Sequence, residues 1–95
     1  MNLQFEWDNQ KASLNFKKHG VSFEEAQAVF NDPLAYIFED ELHFVGERRE
    51  IIIGHQNNRL LLVCFTERKR NIIRIISARL ATKKERKDYG QFTGF

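Results

Sequence analysis

Ninety-five residues amount to one domain with a modest core, and no apolar run approaches the ~20 residues of a membrane-crossing helix. The opening MNLQFEWDNQ lacks the basic and then apolar segments of a secretory leader, so a cytoplasmic location is expected, and the single cysteine, Cys64, rules out an internal disulfide framework. The net charge of +2 hides an asymmetry: residues 1–58 carry five Lys/Arg against ten Asp/Glu, a net −5, whereas residues 59–95 carry ten against three, a net +7, which suits the C-terminal third to a phosphate-rich partner.

LQFEWD alternates Leu3, Phe5 and Trp7 with polar residues, the period of a half-buried strand. Asp8 is placed to cap a helix running to about His19, with Ala12 and Phe16 on one face and Lys11, Asn15 and Lys18 on another, and Gly20 supplies a left-handed stop. Ser22 and Glu25 form a capping-box pattern that opens a second helix, presenting Phe23, Ala26 and Phe30 inward until Asn31–Pro33 ends it. Four strand-like runs follow, LAYIF, REIIIGH, RLLLVCFTE and NIIRIISA, with QNNR and RKRN as tight turns between the last three. Thr82 and Glu85 repeat the capping box and open a short C-terminal helix that Gly90 is expected to end, leaving 90–95 as a flexible tail or packing Phe92 and Phe95 back onto the body. The pattern predicts one α+β domain over residues 1–95: an antiparallel meander with helices on one face and the other face partly open.

The chemistry is narrowed mostly by exclusion. His19, His43 and His55 are far apart and share no metal-ligand spacing with Cys64, and the acidic run Glu39–Glu41 reads as a solvated loop, so neither metal nor other cofactor is expected. There is no Gly-rich phosphate loop and no G-x-S-x-G. The basic segment is more informative. Arg68, Arg74, Arg79 and Arg86 recur at strand ends and at the helix start, each offering a planar fork to phosphate. Arg74 and Arg79 are five apart, which puts them on opposite faces of a regular strand unless a bulge intervenes. Lys83, Lys84 and Arg86 crowd the first turn of the last helix, where the macrodipole disfavours cations by a few tenths of a kcal/mol each. They are either a solubilising surface or a phosphodiester site. RNA brings its own nucleophile, the 2′-hydroxyl, so a protein that cuts it needs only positioning, charge stabilisation and proton transfer. His19, Lys11 and Tyr89 are candidates for the last task, against the simpler roles of helix end for His19 and sheet packing for Tyr89.

Three ordered blocks, FEWDNQKASLNFKKHGVSFEEAQAVFNDP, IGH…RLLLVCFTER and IRIISARLATKKERKDY, resemble the BrnT family of type II toxins from Phe5 to Tyr89. The matching positions are Trp7, Asp8 and Lys11; His19 and Gly20; Arg49; Thr66, Glu67 and Arg68; Arg74, Ser77 and Arg79; and Glu85, Arg86 and Tyr89. The resemblance implies a RelE-like ribonuclease that inhibits translation without a metal. It also implies neutralisation by a BrnA-type antitoxin with a ribbon-helix-helix domain, in a heterotetramer that represses its own promoter DNA. The family motif does not itself assign a general base; from the chemistry of the residues, His19, Arg68, Arg79 and Tyr89 are expected to be catalytic, and Lys11, Arg49, Arg74, Lys83, Lys84 and Arg86 to bind RNA, on or off the ribosome. The antitoxin segment covering the basic third is expected to be acidic or amphipathic. Two departures stand out: Leu80 replaces a further basic residue, and RKRN is more basic than the usual Gly-containing turn. A non-catalytic nucleic-acid- or protein-binding module, a degenerate toxin retained for repression, is the alternative.

Overall fold

The computed structural model describes residues 2–41 and 46–93. His43 and the side chains of Phe92 and Phe95 lie outside the described residues. In chain order the elements are β1 (Gln4–Glu6), α1 (Asn9–His19), α2 (Phe23–Ala28) with a 3-10 turn Val29–Asn31, β2 (Tyr36–Glu39), β3 (Glu50–Gln56), β4 (Arg59–Lys69), β5 (Ile72–Leu80) and α3 (Lys83–Thr93). The local signals behave as their chemistry dictates. Asp8 accepts from the backbone N–H groups of Gln10 and Lys11 and caps α1, which stops at Gly20 with φ +70°. Ser22 and Glu25 make the reciprocal capping box. The β3–β4 and β4–β5 turns place Asn57 and Asn71 at positive φ, a conformation asparagine tolerates.

The five strands form one sheet in the order β1-β5-β4-β3-β2. From β2 to β5 each strand pairs antiparallel with the next, but β1 joins β5 in parallel, so the sheet is mixed. The expected meander did not account for β1, whose three residues add to the outer edge of β5 only at Ile72–Arg74. Further along that edge Asn15 of α1 takes over. Its side chain accepts from Ala78 N–H and donates to the carbonyls of Ala78 and Val21, satisfying strand-edge groups that burial would otherwise leave orphaned. At the other side of the sheet Asp32 does the same for the His55 N–H, beyond the reach of β2.

Two corrections concern the helices. All three were expected on one face, but only α1 and α2 share one. They pack Val21, Phe23, Ala26 and Val29 onto Ile52, Leu61, Val63, Phe65, Ile73, Ile75 and Ala78. The alternate residues Ile53, Leu60 and Leu62 point the other way, where Ala81 and Tyr89 of the α3 segment cover them. The second concerns α3, which runs through Gly90 to Thr93, because glycine inside a helix costs only ~1 kcal/mol when neighbouring residues hold it. The buried stripe of α1 is also rotated from the expected one: Asn15 is 8% exposed while Phe16 is 56% exposed.

Gly54 in β3 is required by close approach. A Cβ there would lie 2.7 Å from the Ala35 Cβ and 3.0 Å from Val29 Cγ1. That approach seats the turn before β2 against the sheet.

Candidate active site

Because α3 covers only part of its face, a cleft of about 300 Å³ remains beside it, lined by Asp40, Arg49, Ile51, Leu62, Cys64, Ile76, Ser77 and Arg79. These residues meet because of two irregularities in β5 and β4. Cys64 pairs with Ser77, but the next pair is Phe65 with Ile75, so Ile76 is an extra, bulged residue. The bulge shifts the alternation by one. Arg74, opposite Thr66, and Arg79, opposite Leu62, therefore emerge on the same side of the sheet, which regular geometry forbids for residues five apart. A second bulge, on β4, falls at Arg68. Arg49, just before β3, continues the alternation of Ile51 and Ile53 and joins the cleft from across the sheet.

The cleft's charges are held in distinct ways. Arg79 donates from Nη1 and Nη2 to the two carboxylate oxygens of Glu85 at 2.8 and 2.9 Å. That pairing raises the guanidinium pKa and, with the Thr82 N–H, lowers Glu85 to about 2. Arg49 makes no side-chain hydrogen bond or ion pair among the described residues, and its carbonyl accepts from Asp40 N–H at 3.0 Å. Asp40, 9% exposed, accepts a weak bond from the Cys64 thiol at 3.8 Å. Burial, then the Asp40 charge, pushes that thiol up to about 11, so Cys64 is a protonated wall residue at neutral pH.

The other expected site residues scatter. Arg74 shares the cleft's face but pairs with Glu6 at 3.1 Å, and Arg68 lies 3.8 Å from Glu47. Arg59 pairs with Glu25. Three of the basic third's arginines thus answer glutamates of the acidic half, so the charge asymmetry along the chain is partly cancelled in space. Lys83 and Lys84 are exposed on α3, Lys84 pairing with Asp88 at 3.2 Å, and Arg86 donates to the Ala81 carbonyl at 3.1 Å. The helix N-terminus that they were expected to share with a phosphate already holds the Glu85 carboxylate, which accepts from Thr82 N–H at 2.8 Å. Lys11 and His19 belong to α1, on the opposite face of the sheet from the cleft.

Tyr89 is 2% exposed, stacks on Tyr36 with ring centroids 5.8 Å apart, meets the His55 ring edge-on and donates its hydroxyl to the Leu34 carbonyl at 3.1 Å. Burial and the nearby Asp32 charge raise its pKa. It fastens α3 to the sheet. Asp40, Cys64 and Ser77 are the polar cleft residues that were not expected as site residues; the signal for Asp40 and Cys64 was the strand alternation they share with Arg49, and for Ser77 its place in the R-I-I-S-A-R motif. Among the described residues no group of three or more His, Cys, Asp or Glu is gathered to hold a metal, and no helix is long and apolar enough to cross a membrane.

Comparison with known proteins places the geometry in context. Residues 7–85 match the family model for the ribonuclease toxin, BrnT, of type II toxin-antitoxin systems. The 1.1 Å crystal structure of the Brucella abortus ribonuclease toxin BrnT superposes with a TM-score of 0.66, covering 86% of this chain and 100% of that one at 24% identity. No curated protein matches the chain.

Proposed function

Since this chain belongs to the BrnT family of ribonuclease toxins of type II toxin–antitoxin systems, we propose that the cleft beside α3 is where it cuts RNA, with Arg49 and Arg79 as the phosphate-binding pair. The observation that carries this is the Ile76 bulge, which turns Ser77 and Arg79 onto the open sheet face opposite Arg49. In the reaction the RNA 2′-oxygen attacks the adjacent phosphorus as its proton leaves, the P–O5′ bond breaks, the departing 5′-oxygen takes up a proton from water, and a 2′,3′-cyclic phosphate and a 5′-hydroxyl result. The two guanidinium groups stabilise the additional negative charge on the phosphoryl oxygens. Ser77 offers a hydroxyl to the same group, and the Asp40 carboxylate is the acceptor at hand for the 2′-hydroxyl proton. Arg74 and Arg68, each paired with a glutamate, and Lys83, Lys84 and Arg86 on α3 serve as weaker contacts for flanking phosphates. His19 and Lys11, across the sheet, are left to helix termination and solubility, and Tyr89 to holding α3.

The activity proceeds without a divalent metal in the cytoplasm, in a RelE-like framework, and arrests translation by destroying RNA. Its neutraliser is a BrnA-like ribbon-helix-helix antitoxin, forming with it a heterotetramer bound to promoter DNA and covering the cleft with an acidic or amphipathic segment. Incubating the purified protein with RNA in EDTA tests the proposal. Fragments ending in cyclic phosphate, suppressed by excess antitoxin, are expected. Intact RNA in EDTA with cleavage restored by added magnesium would refute metal independence, and intact RNA under both conditions would indicate a non-catalytic module.

A further inference from the structure

Arg79 is the better-held of the two cleft arginines, and the way it is held is specific. A guanidinium carries five N–H groups in one plane. Three are engaged: one on Nη1 and one on Nη2 with the two oxygens of Glu85, and the second on Nη1 with the Leu80 carbonyl at 3.2 Å. The remaining two, Nε–H and the second N–H of Nη2, lie side by side along the other edge, a fork matched to two phosphoryl oxygens. Glu85 is itself fixed. Its Oε1 accepts from Thr82 N–H, its own N–H donates to Thr82 Oγ1 at 3.1 Å, and the helix carrying it is anchored by Tyr89.

We propose that Glu85 is a positioning residue for RNA cleavage: from the first turn of α3 it grips the outer edge of Arg79 and leaves the inner edge open as a fork for the reacting phosphate. The inference rests on the assignment of the cleft as the cutting site. It explains why an arginine required for phosphate is paired with a carboxylate at all. A carboxylate that merely neutralised Arg79 would oppose RNA binding, and its removal would speed cleavage or tighten binding. A carboxylate that orients the fork has the opposite sign, because a misplacement of about 1 Å at the reacting group costs on the order of 100-fold in rate.

Glu85→Gln separates the two, since glutamine at the third helical position still completes the capping box. Single-turnover cleavage at saturating RNA, measured at a temperature where circular dichroism shows Glu85→Gln folded, is expected to fall by at least ~10-fold, with affinity for a non-cleavable 2′-O-methyl oligonucleotide changed by no more than about 3-fold. In a double-mutant cycle with Arg79→Ala, the rate losses should be strongly non-additive, as a purely structural role for Glu85 would not produce. Faster cleavage by Glu85→Gln, an unchanged rate, or additive losses would overturn the inference. If Arg79→Ala alone cleaves like the wild type, the cleft assignment fails; if Arg79→Ala is crippled and Glu85→Gln is not, only the positioning role fails.

Discussion

Asn15→Ala should be among the most damaging substitutions in α1, although that helix lies on the face of the sheet away from the cleft. The side chain makes three hydrogen bonds of 2.8 to 3.0 Å to backbone groups of Ala78 and Val21, themselves 1% and 0% exposed. Each contributes a net ~1 kcal/mol, and a buried backbone group left without a partner costs ~1–3 kcal/mol, so the loss is about 3 kcal/mol at the low end of that range. For a domain of this size that lowers the melting temperature by roughly 10–25 °C. Urea unfolding should show a lower midpoint with an unchanged slope. Asn15→Asp should do worse, because it keeps the acceptor for Ala78 N–H but aims a carboxylate at two carbonyls. Phe16→Ala, one position on and exposed, should stay within ~0.5 kcal/mol of wild type. A loss below ~1 kcal/mol for Asn15→Ala, or a larger one for Phe16→Ala, would refute the assignment of Asn15 as the substitute partner of the β5 edge. Since Ala78 lies between Ser77 and Arg79, the same substitution should also loosen the cleft.

Gly54→Ala should destabilise the fold by ~1–3 kcal/mol in urea melts, because the added methyl meets Ala35 and Val29. Tyr89→Phe, losing its bond to the Leu34 carbonyl, should cost ~1 kcal/mol and keep full RNA cleavage; loss of cleavage without loss of stability would make the hydroxyl a reacting group. The Glu85 carboxyl, lowered from an ordinary value of 4.5 to about 2 in the fold, contributes stability that is complete above pH 4.5 and lost as pH falls toward 2. The melting temperature should decline through that window, and less so in Glu85→Gln. With its thiol near 11, Cys64 should react with iodoacetamide far more slowly at pH 7.5 than a free thiol of ordinary pKa, accelerating only at strongly alkaline pH.

Sequence patterns disclosed the elements whose signals are local. Capping boxes at Ser22 and Thr82, the glycine stop after α1, the asparagine turns and the strands β2 to β5 all follow from chemistry within a few residues. What they did not disclose depends on contacts distant in sequence. Asn15 reads as a polar, solvent-facing position until β5 offers it an unpaired edge, and the short β1, parallel to its neighbour, carries no mark of its direction. The Ile76 bulge has no compositional signature in NIIRIISA, yet it decides which arginines share a face. Tyr89 and Arg86 look alike as motif residues at the chain end, but the burial that separates them depends on α3 crossing to the face away from α1 and α2. The candidate site was therefore legible as a set of arginines without an arrangement: Arg49 and Arg79 meet in the cleft, while His19 and Lys11 lie across the sheet.

The most direct test sets the two faces of the sheet against each other. Single-turnover RNA cleavage in EDTA by folded Arg49→Ala should fall by about 100-fold or more, the scale of losing one preorganised charge donor, while His19→Gln cleaves at the wild-type rate with an unchanged pH profile. Wild-type cleavage by Arg49→Ala, together with a collapse in His19→Gln, would place the chemistry on the face of α1 and contradict the account.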